Sequence, residues 1–372
     1  MAASLSPLNS QQIEKELAEL WTTLPGDQEK ELGLQRVYTT NLVAYAEDPA
    51  DGFRVERTLH HLAEIHPGRY LLIRPGEKEE EEAHPSVRHF ISGHCFLFQG
   101  REKKVCCELV QLVAAPETMD HLYGLAFSLL LPDLPVEFWW PGELSLRHPF
   151  FNQMAGEVTR VWVDSSRFKE VLVNLMALAE TWKARFPRTE LGDLNWVRLS
   201  RWRALIAELF DGEWSPYLAQ IKEVTVKYGD QAHPIRPFYL SCWLAAQLGW
   251  VSTGSRFKTI PDRFQFKGPH GEISVKLEPV PLQDELKDRI YSVGLSTQGE
   301  KPGRFIVDRG QDPFTVVARS EVENRTAFSR TVPFEHLHTY ELLAEGLRHQ
   351  EKDLAFEKML KIAGSLLDKP RV

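Results

Sequence analysis

The sequence predicts a chain in two parts: an α/β sandwich with a mixed sheet, then helices followed by an antiparallel β meander. Two observations carry that division. Strand-like and helix-like stretches alternate through the first half, the pattern of sheets flanked by helices. From Phe264 onward, short β segments separated by turn residues take over. The expected boundaries are an N-terminal helix over 1–30, an α/β domain over 31–185 and an α+β domain over 186–372.

Ser10 to Leu24 reads as a helix, with Ile13, Leu17, Leu20 and Leu24 on one face, Ser10 as cap and Pro25-Gly26 as stop. A strand from Arg36 to Ala46 is rich in Val, Tyr, Thr and Leu. Asp48 to Gly52 reads as a loop, and Val55, Leu59, Leu62 and His66 recur at helical spacing behind it. Arg69 to Arg74 is nearly continuous in apolar character, which suits a strand covered on both faces. The run Glu77 to Glu82 reads as a solvated loop. His89–Gln99 and Val105–Val113 form an expected antiparallel hairpin across Gly100 to Lys104. Glu117 to Leu130 reads as a helix leading into Leu131–Pro141, where Pro132 and Pro135 stiffen the entry to a strand ending in Trp139-Trp140. A strand over Arg160–Asp164 precedes a helix whose face is Phe168, Leu172, Leu175, Ala179 and Trp182.

In the second half, helices are expected over Val197–Phe210 and Ile235–Leu248, with a strand over Ile221–Lys227 between them. Six short β segments follow between Phe264 and Val332. Two helices, from about Phe334 and Asp353, close the chain.

Composition excludes several functions. The 372 residues carry Lys+Arg 44 against Asp+Glu 52, a net charge of −8. Nucleic acid as the main partner is disfavoured, because phosphate backbones need a basic surface. The start lacks a basic n-region and an apolar h-region, so no signal peptide is expected, and no apolar run approaches the ~20 residues of a membrane helix. The four cysteines, Cys95, Cys106, Cys107 and Cys242, show no CxxC spacing and read as buried thiols of a reduced, cytoplasmic protein. A redox role for Cys106 or Cys107 is the lesser reading. The first strand and its helix are not joined by the G-x-G-x-x-G turn of a dinucleotide fold. Neither a metal-ligand spacing nor a nucleophile elbow is present, so no cofactor, metal or catalytic residue is assigned.

Eight residues stand out as partner or anion contacts, each against a plainer structural role. Trp139 and Trp140 point to opposite faces of a strand; one or both can pack in the core, or one can anchor a partner. Asp164 and Ser165 lie where a strand gives way to a helix, either as a cap or at the ligand edge of a sheet. Asp193 or Asn195 caps the helix that follows. On that helix Arg198 falls inside the apolar arc of Leu199, Trp202, Leu205, Ile206, Leu209 and Phe210, with Arg201 just off its edge. A guanidinium there needs a partner: either a carboxylate such as Asp133, Asp164 or Asp193, or an anionic ligand.

Five short blocks, in this order, resemble one known family. They are His66-Pro67-x-Arg69, Pro132-Asp133-Leu134-Pro135 with Trp139-Trp140, Val161-Trp162-Val163-Asp164-Ser165, Asp193-Leu194-Asn195-Trp196-Val197-Arg198-Leu199 with Trp202-Arg203, and Cys242-Trp243-Leu244 with Leu248-Gly249-Trp250. The chain is similar to the glucose-6-phosphate dehydrogenase assembly proteins, called OpcA. The resemblance implies a non-enzymatic protein that associates with glucose-6-phosphate dehydrogenase and favours its active oligomer, at the entry to the oxidative pentose phosphate pathway. It also implies thiol-linked control in photosynthetic relatives. Here no cysteine follows Cys242, so a C-terminal redox switch is not expected. The alternative is an enzyme or sensor that binds a sugar phosphate or nucleotide between the two halves.

Overall fold

The structure is a computed structural model that describes residues 9–23, 35–76, 87–97, 104–119, 121–230, 234–281, 289–309, 312, 314–323, 325–334, 336–349 and 351–368. The acidic run, the hairpin turn over 98–103 and Leu24 lie outside the described residues. The chain folds as two compact units. Unit 1 takes Met1–Arg167, Phe186–Leu194 and Thr339–His349; unit 2 takes Phe168–Arg185, Asn195–His338 and Gln350–Val372.

Unit 1 is built on an eight-stranded sheet. Its strands are β1 (Gln35–Arg36), β2 (Asn41–Tyr45), β3 (Arg69–Pro75), β4 (Arg88–Leu97), β5 (Lys104–Ala114), β6 (Val136–Trp139), β7 (Arg160–Val163) and β8 (Glu190–Asp193). The order is β1-β5-β3-β2-β6-β7-β8, with β4 antiparallel along β5 and the other pairings parallel. Every residue of β2 and β3 is buried, as expected for strands covered on both faces. From β5 to β8 the order is that of a doubly wound dinucleotide-binding sheet, whose direction of winding reverses between β2 and β6.

Helix Pro49–Ile65 crosses from β2 to β3. Asp48 caps it by accepting the Asp51 N–H at 2.8 Å, and Pro49 occupies the first turn, where no N–H is needed. The expected loop over Asp48–Gly52 is therefore the start of this helix. Its buried stripe is Val55, Leu59, Leu62 and Ala63, and helix Thr339–Arg348 packs against it. In helix Ser10–Thr23, the cap is Asn9, which accepts the Gln12 N–H, rather than Ser10.

Several elements differ from expectation for local reasons. The strand over Arg36–Ala46 is split because Thr39 turns aside to bond Pro67 O through both its N–H and its hydroxyl. Glu117–Leu130 forms two short helices, Pro116–Met119 and Tyr123–Ser128. Helix Pro149–Glu157 and strand β8 were not anticipated.

Unit 2 holds a second eight-stranded sheet. Its strands are β9 (Ile221–Gly229), β10 (Val251–Ser252), β11 (Arg263–Gly268), β12 (Gly271–Val280), β13 (Ile290–Thr297), β14 (Gly303–Arg309), β15 (Thr315–Val322) and β16 (Arg325–Pro333). The order is β10-β11-β12-β9-β13-β14-β15-β16. The expected meander is thus interrupted: β9, from earlier in the chain, lies between β12 and β13, parallel to the first and antiparallel to the second. Helix Ile235–Leu248 packs on β9 and β12 and stops at Gly249, whose φ of 67° is the left-handed geometry glycine favours. Phe210 stacks on Phe305 with centroids 4.3 Å apart. Helix Leu354–Leu366, capped by Asp353, packs on helix Ile235–Leu248. The helix expected from Phe168 is Val171–Met176, a π turn over Ala177–Thr181 and Trp182–Arg185. Its Ala179 lies against Gly364 of helix Leu354–Leu366.

Candidate functional site

The eight residues singled out in the sequence fall into two groups. Trp139, Trp140, Asp164, Ser165 and Asp193 belong to unit 1; Asn195, Arg198 and Arg201 belong to unit 2.

In unit 1, both tryptophans are buried, so the reading of either as an exposed anchor gives way to core packing. Trp140 follows β6 directly at the point where the sheet reverses. Its ring stacks on Tyr45, at the end of β2, with centroids 5.0 Å apart and planes 12° off parallel. His148 and Phe151 meet it edge-on, and its Nε1 donates to Glu143 O at 2.7 Å. In a dinucleotide-binding sheet this crevice receives the cofactor, and the helix N-terminus after the first strand receives the pyrophosphate. Here the crevice is filled by rings. The helix N-terminus carries Asp48, Pro49 and Asp51, two carboxylates and a residue without an N–H. A pyrophosphate there would meet like charge and one donor fewer.

Asp164 and Ser165 lie past the end of β7, beside Asp193 at the end of β8. The parallel register sets Val163 opposite Asp193. Asp193 Oδ1 accepts the Ser165 N–H at 3.0 Å, and Asp164 Oδ1 accepts the Ser166 hydroxyl at 2.6 Å. Asp164 thereby caps the short turn Ser165–Arg167. These bonds tie two neighbouring strand ends together. Asp133 is exposed in the turn before β6, at a φ of 64°.

In unit 2, the expected helix over Val197–Phe210 is broken. Helices Leu194–Val197 and Ser200–Glu208 are joined by a turn at Arg198 and Leu199, where the Leu199 N–H bonds back to Trp196 O. Arg198 sits in that turn, off the apolar face on which a continuous helix would set it. The turn opens a cavity of about 50 Å³. Arg198, Arg201, Arg236, Arg289, Arg309 and His336 line it, and no carboxylate is among the described residues that do. Arg236 Nε donates to Asn195 Oδ1 at 2.6 Å. Arg309 is buried, donates through Nε to Ile290 O, and lies over the rings of Phe334 and Trp202. Asn195 therefore orients a cavity arginine.

Arg198 and Arg201 are the part of this cluster that the sequence exposes, because they flank one apolar face. Arg236, Arg289, Arg309 and His336 were missed. They reach the cavity from the start of one helix, from the ends of β13 and β14, and from the segment after β16, and no spacing links them. Among the described residues no group of three or more His, Cys, Asp or Glu is placed to hold a metal ion. No helix among them is long and apolar enough to cross a membrane.

Comparison with known proteins bears on both units. Residues 60–180 match the family profile described as the glucose-6-phosphate dehydrogenase subunit N-terminal domain, and residues 189–360 match that of its C-terminal domain. The OpcA protein of Nostoc punctiforme, named for the OxPP cycle, is 30% identical over 196 residues, covering 52% of this chain and 40% of that protein. That of a Synechocystis species is 26% identical over 229 residues, covering 60% and 46%. The match thus spans less than half the length of these relatives. Among solved structures, the WlbA dehydrogenase from Bordetella pertussis aligns over 87% of this chain and 94% of its own, at 10% identity and a TM-score of 0.42. An oxidoreductase domain protein from Kribbella flavida aligns over 88% and 94%, at 10% identity and a TM-score of 0.45. Likeness at that level carries no argument about activity. The two profiles together run through most of the described chain, and the chain belongs to the OpcA family of glucose-6-phosphate dehydrogenase assembly proteins.

Proposed function

We propose that this chain is a non-catalytic protein of the oxidative pentose phosphate pathway. It binds glucose-6-phosphate dehydrogenase in the cytoplasm and favours that enzyme's active oligomeric state. The observation that carries this reading is the filled crevice of unit 1. A sheet with the strand order of a dinucleotide-binding domain has Trp140 stacked on Tyr45 at its switch point and Asp48 and Asp51 at the helix end where a pyrophosphate would sit. Such a sheet is suited to presenting a surface rather than to transferring hydride. The family profiles, both described as parts of a glucose-6-phosphate dehydrogenase subunit, support that enzyme as the partner.

An activator of this kind works by binding one state of its partner more tightly than another. Strand β16 suits the docking. It ends the unit 2 sheet, and of its nine residues all but Val332 are exposed, Phe328 among them. Its unpaired backbone edge is a template for a strand from another chain. The test is to mix the purified chain with the dehydrogenase from the same organism. Co-elution on size exclusion, a larger enzyme oligomer and a lower substrate KM are expected. Separate elution together with unchanged kinetics would remove this reading.

A further inference from the structure

We propose that two copies of this chain pack together through the open face of the unit 2 sheet, around a two-fold axis that runs along β13. The inference stands apart from the dehydrogenase as partner, and its test begins with the chain alone.

One face of this sheet is core. Val226 of β9, Val293 of β13 and Val307 of β14 lie side by side on it and are buried. Neighbouring residues of a strand point to opposite faces, so the residues between these valines look the other way. On that other face β13 presents only Ser292, Gly294 and Ser296. A Cβ at Gly294 would meet nothing within 4 Å, so the middle of the face is low and open. Sheets stacked face to face lie about 10 Å apart, and small residues at the centre favour that approach.

Charge selects a second copy as the occupant. Ser296 lies between Glu223 of β9 and Arg304 of β14, Gly294 between Thr225 and Ile306, and Ser292 between Lys227 and Asp308. The order is thus negative, neutral, positive on one side of β13, and positive, neutral, negative on the other. Within one copy the opposite charges at each level are two strands apart, roughly 10 Å, with a serine between them. A two-fold axis along β13 sets β9 of one copy over β14 of the other. Glu223 then meets Arg304 of the second copy, Lys227 meets Asp308 of the second copy, and Thr225 meets Ile306 of the second copy. Symmetry makes each contact twice. One column further out, Lys276 comes over Arg319 of the second copy. Each is already paired in its own chain, Lys276 with Glu278 at 2.8 Å and Arg319 with Asp308 at 2.9 Å. Complementary charge of this kind fixes register between partners.

The area suffices. Eight strands about 4.8 Å apart, each at least six residues long over most of the sheet at about 3.3 Å per residue, give a face of roughly 700 Å². A specific interface of standard size takes about 800 Å² from each partner.

The experiment measures the mass of the full chain by sedimentation velocity and light scattering from about 1 to about 100 μM, a range that brackets micromolar association. A concentration-dependent dimer is expected. Arg304→Glu sets like charges together twice and should raise the dissociation constant roughly tenfold or more. Glu223→Arg should do the same, and the double variant Arg304→Glu/Glu223→Arg should dimerise again. Gly294→Lys, at a position with room for a side chain, should leave Tm unchanged at low concentration and abolish the dimer. A wild-type chain that stays monomeric to 100 μM overturns the proposal. So does a dimer that Arg304→Glu and Gly294→Lys leave intact, or one that the charge exchange fails to restore. A monomer that binds the dehydrogenase and loses it on Gly294→Lys overturns it too, and gives this face to the enzyme.

Discussion

Arg69 and Glu108 form an ion pair inside unit 1, with Arg69 Nε 2.5 Å from Glu108 Oε1. Glu108 has no exposed surface and Arg69 almost none. The two lie opposite each other on neighbouring strands β3 and β5. The pair is part of a network. Glu108 Oε2 also accepts Trp21 Nε1 at 2.7 Å and the Tyr38 hydroxyl at 3.0 Å, and Arg69 Nη1 bonds Glu14 and Leu129 O. Through Glu14 and Trp21 the N-terminal helix is fastened to the sheet. Burial, and then the charge of Glu108, push the Tyr38 hydroxyl well above the usual tyrosine range.

Removing one member of a buried ion pair strands the other. Arg69→Met should therefore cost about 3–5 kcal/mol of stability, well beyond a surface substitution. Adding Glu108→Leu should recover a large part of the loss, because no buried unpaired charge then remains; Glu14, which also loses Arg69, is partly exposed. Recovery stays incomplete, since Trp21 and Tyr38 lose their acceptor. Chemical denaturation of the two variants checks this. A double variant no more stable than Arg69→Met would mean that the carboxylate's burial is not what the arginine offsets.

Trp162 sets a second constraint. Its Nε1 donates to the buried carboxylate of Glu137 at 2.8 Å, which holds the ring in place. Gly192, opposite it on β8, and Gly346, in helix Thr339–Arg348, both lie against that ring. A Cβ at either position would come inside 3.0 Å of ring carbons. Alanine in a helix interior ordinarily stabilises by about 1 kcal/mol over glycine. At 346 the sign should reverse, with Gly346→Ala costing about 1–3 kcal/mol through overpacking. Gly156→Ala, in helix Pro149–Glu157 with nothing near its added methyl, serves as the control and should not destabilise. Melting temperatures of the two alanine variants separate the effects.

Local periodicity made much of this architecture legible in the sequence. The helix over Ile235–Leu248, its glycine stop and the β4–β5 hairpin are all set by residues near one another in the chain. What remained hidden depends on distant residues. Helix Pro149–Glu157 opens on two adjacent phenylalanines that are both buried, so it lacks a clean stripe. Strand β8 reads Glu-Leu-Gly-Asp, and the glycine is there to let Trp162 approach. The insertion of β9 into the second sheet has no local signal. The candidate site divides in the same way: Arg198 and Arg201 could be singled out, but the other residues of the cavity come from separate segments further along the chain, at Arg236, Arg289, Arg309 and His336.

The cysteines show a missed consequence of a correct element. The expectation of four free thiols is overturned by a disulfide between Cys95 and Cys106; Cys107 and Cys242 are free and buried. The antiparallel hairpin places Cys95 directly opposite Cys106. The pairing follows from cross-strand register, which neither CxxC spacing nor adjacency in the chain reveals. With the two cysteines at a sequence separation of 11, chain-entropy reasoning gives about 3 kcal/mol as the stabilisation. Cys95 is exposed, so a reductant can reach the bond. Denaturation midpoints with and without dithiothreitol should differ for the wild-type chain and coincide for Cys95→Ser. Coincident midpoints for the wild type would mean that the hairpin is held by its ladder alone.

His66 predicts the response to acid. It ends helix Pro49–Ile65, and its carbonyl accepts the buried Tyr70 hydroxyl. Burial, with the nearby Arg348 charge adding to it, lowers the imidazole to about 4 from an ordinary 6.5. The folded chain therefore holds His66 neutral at pH values where the unfolded chain has already taken up a proton. Stability from this group is complete above the unfolded value and is lost as pH falls from about 6.5 toward 4. The shift corresponds to about 3 kcal/mol over that window. His66→Gln keeps a polar side chain without the titration, so its stability should fall less between pH 7 and pH 4 than that of the wild type. Denaturant midpoints measured across this range give the comparison, and parallel curves for the two proteins would show that other groups govern acid sensitivity.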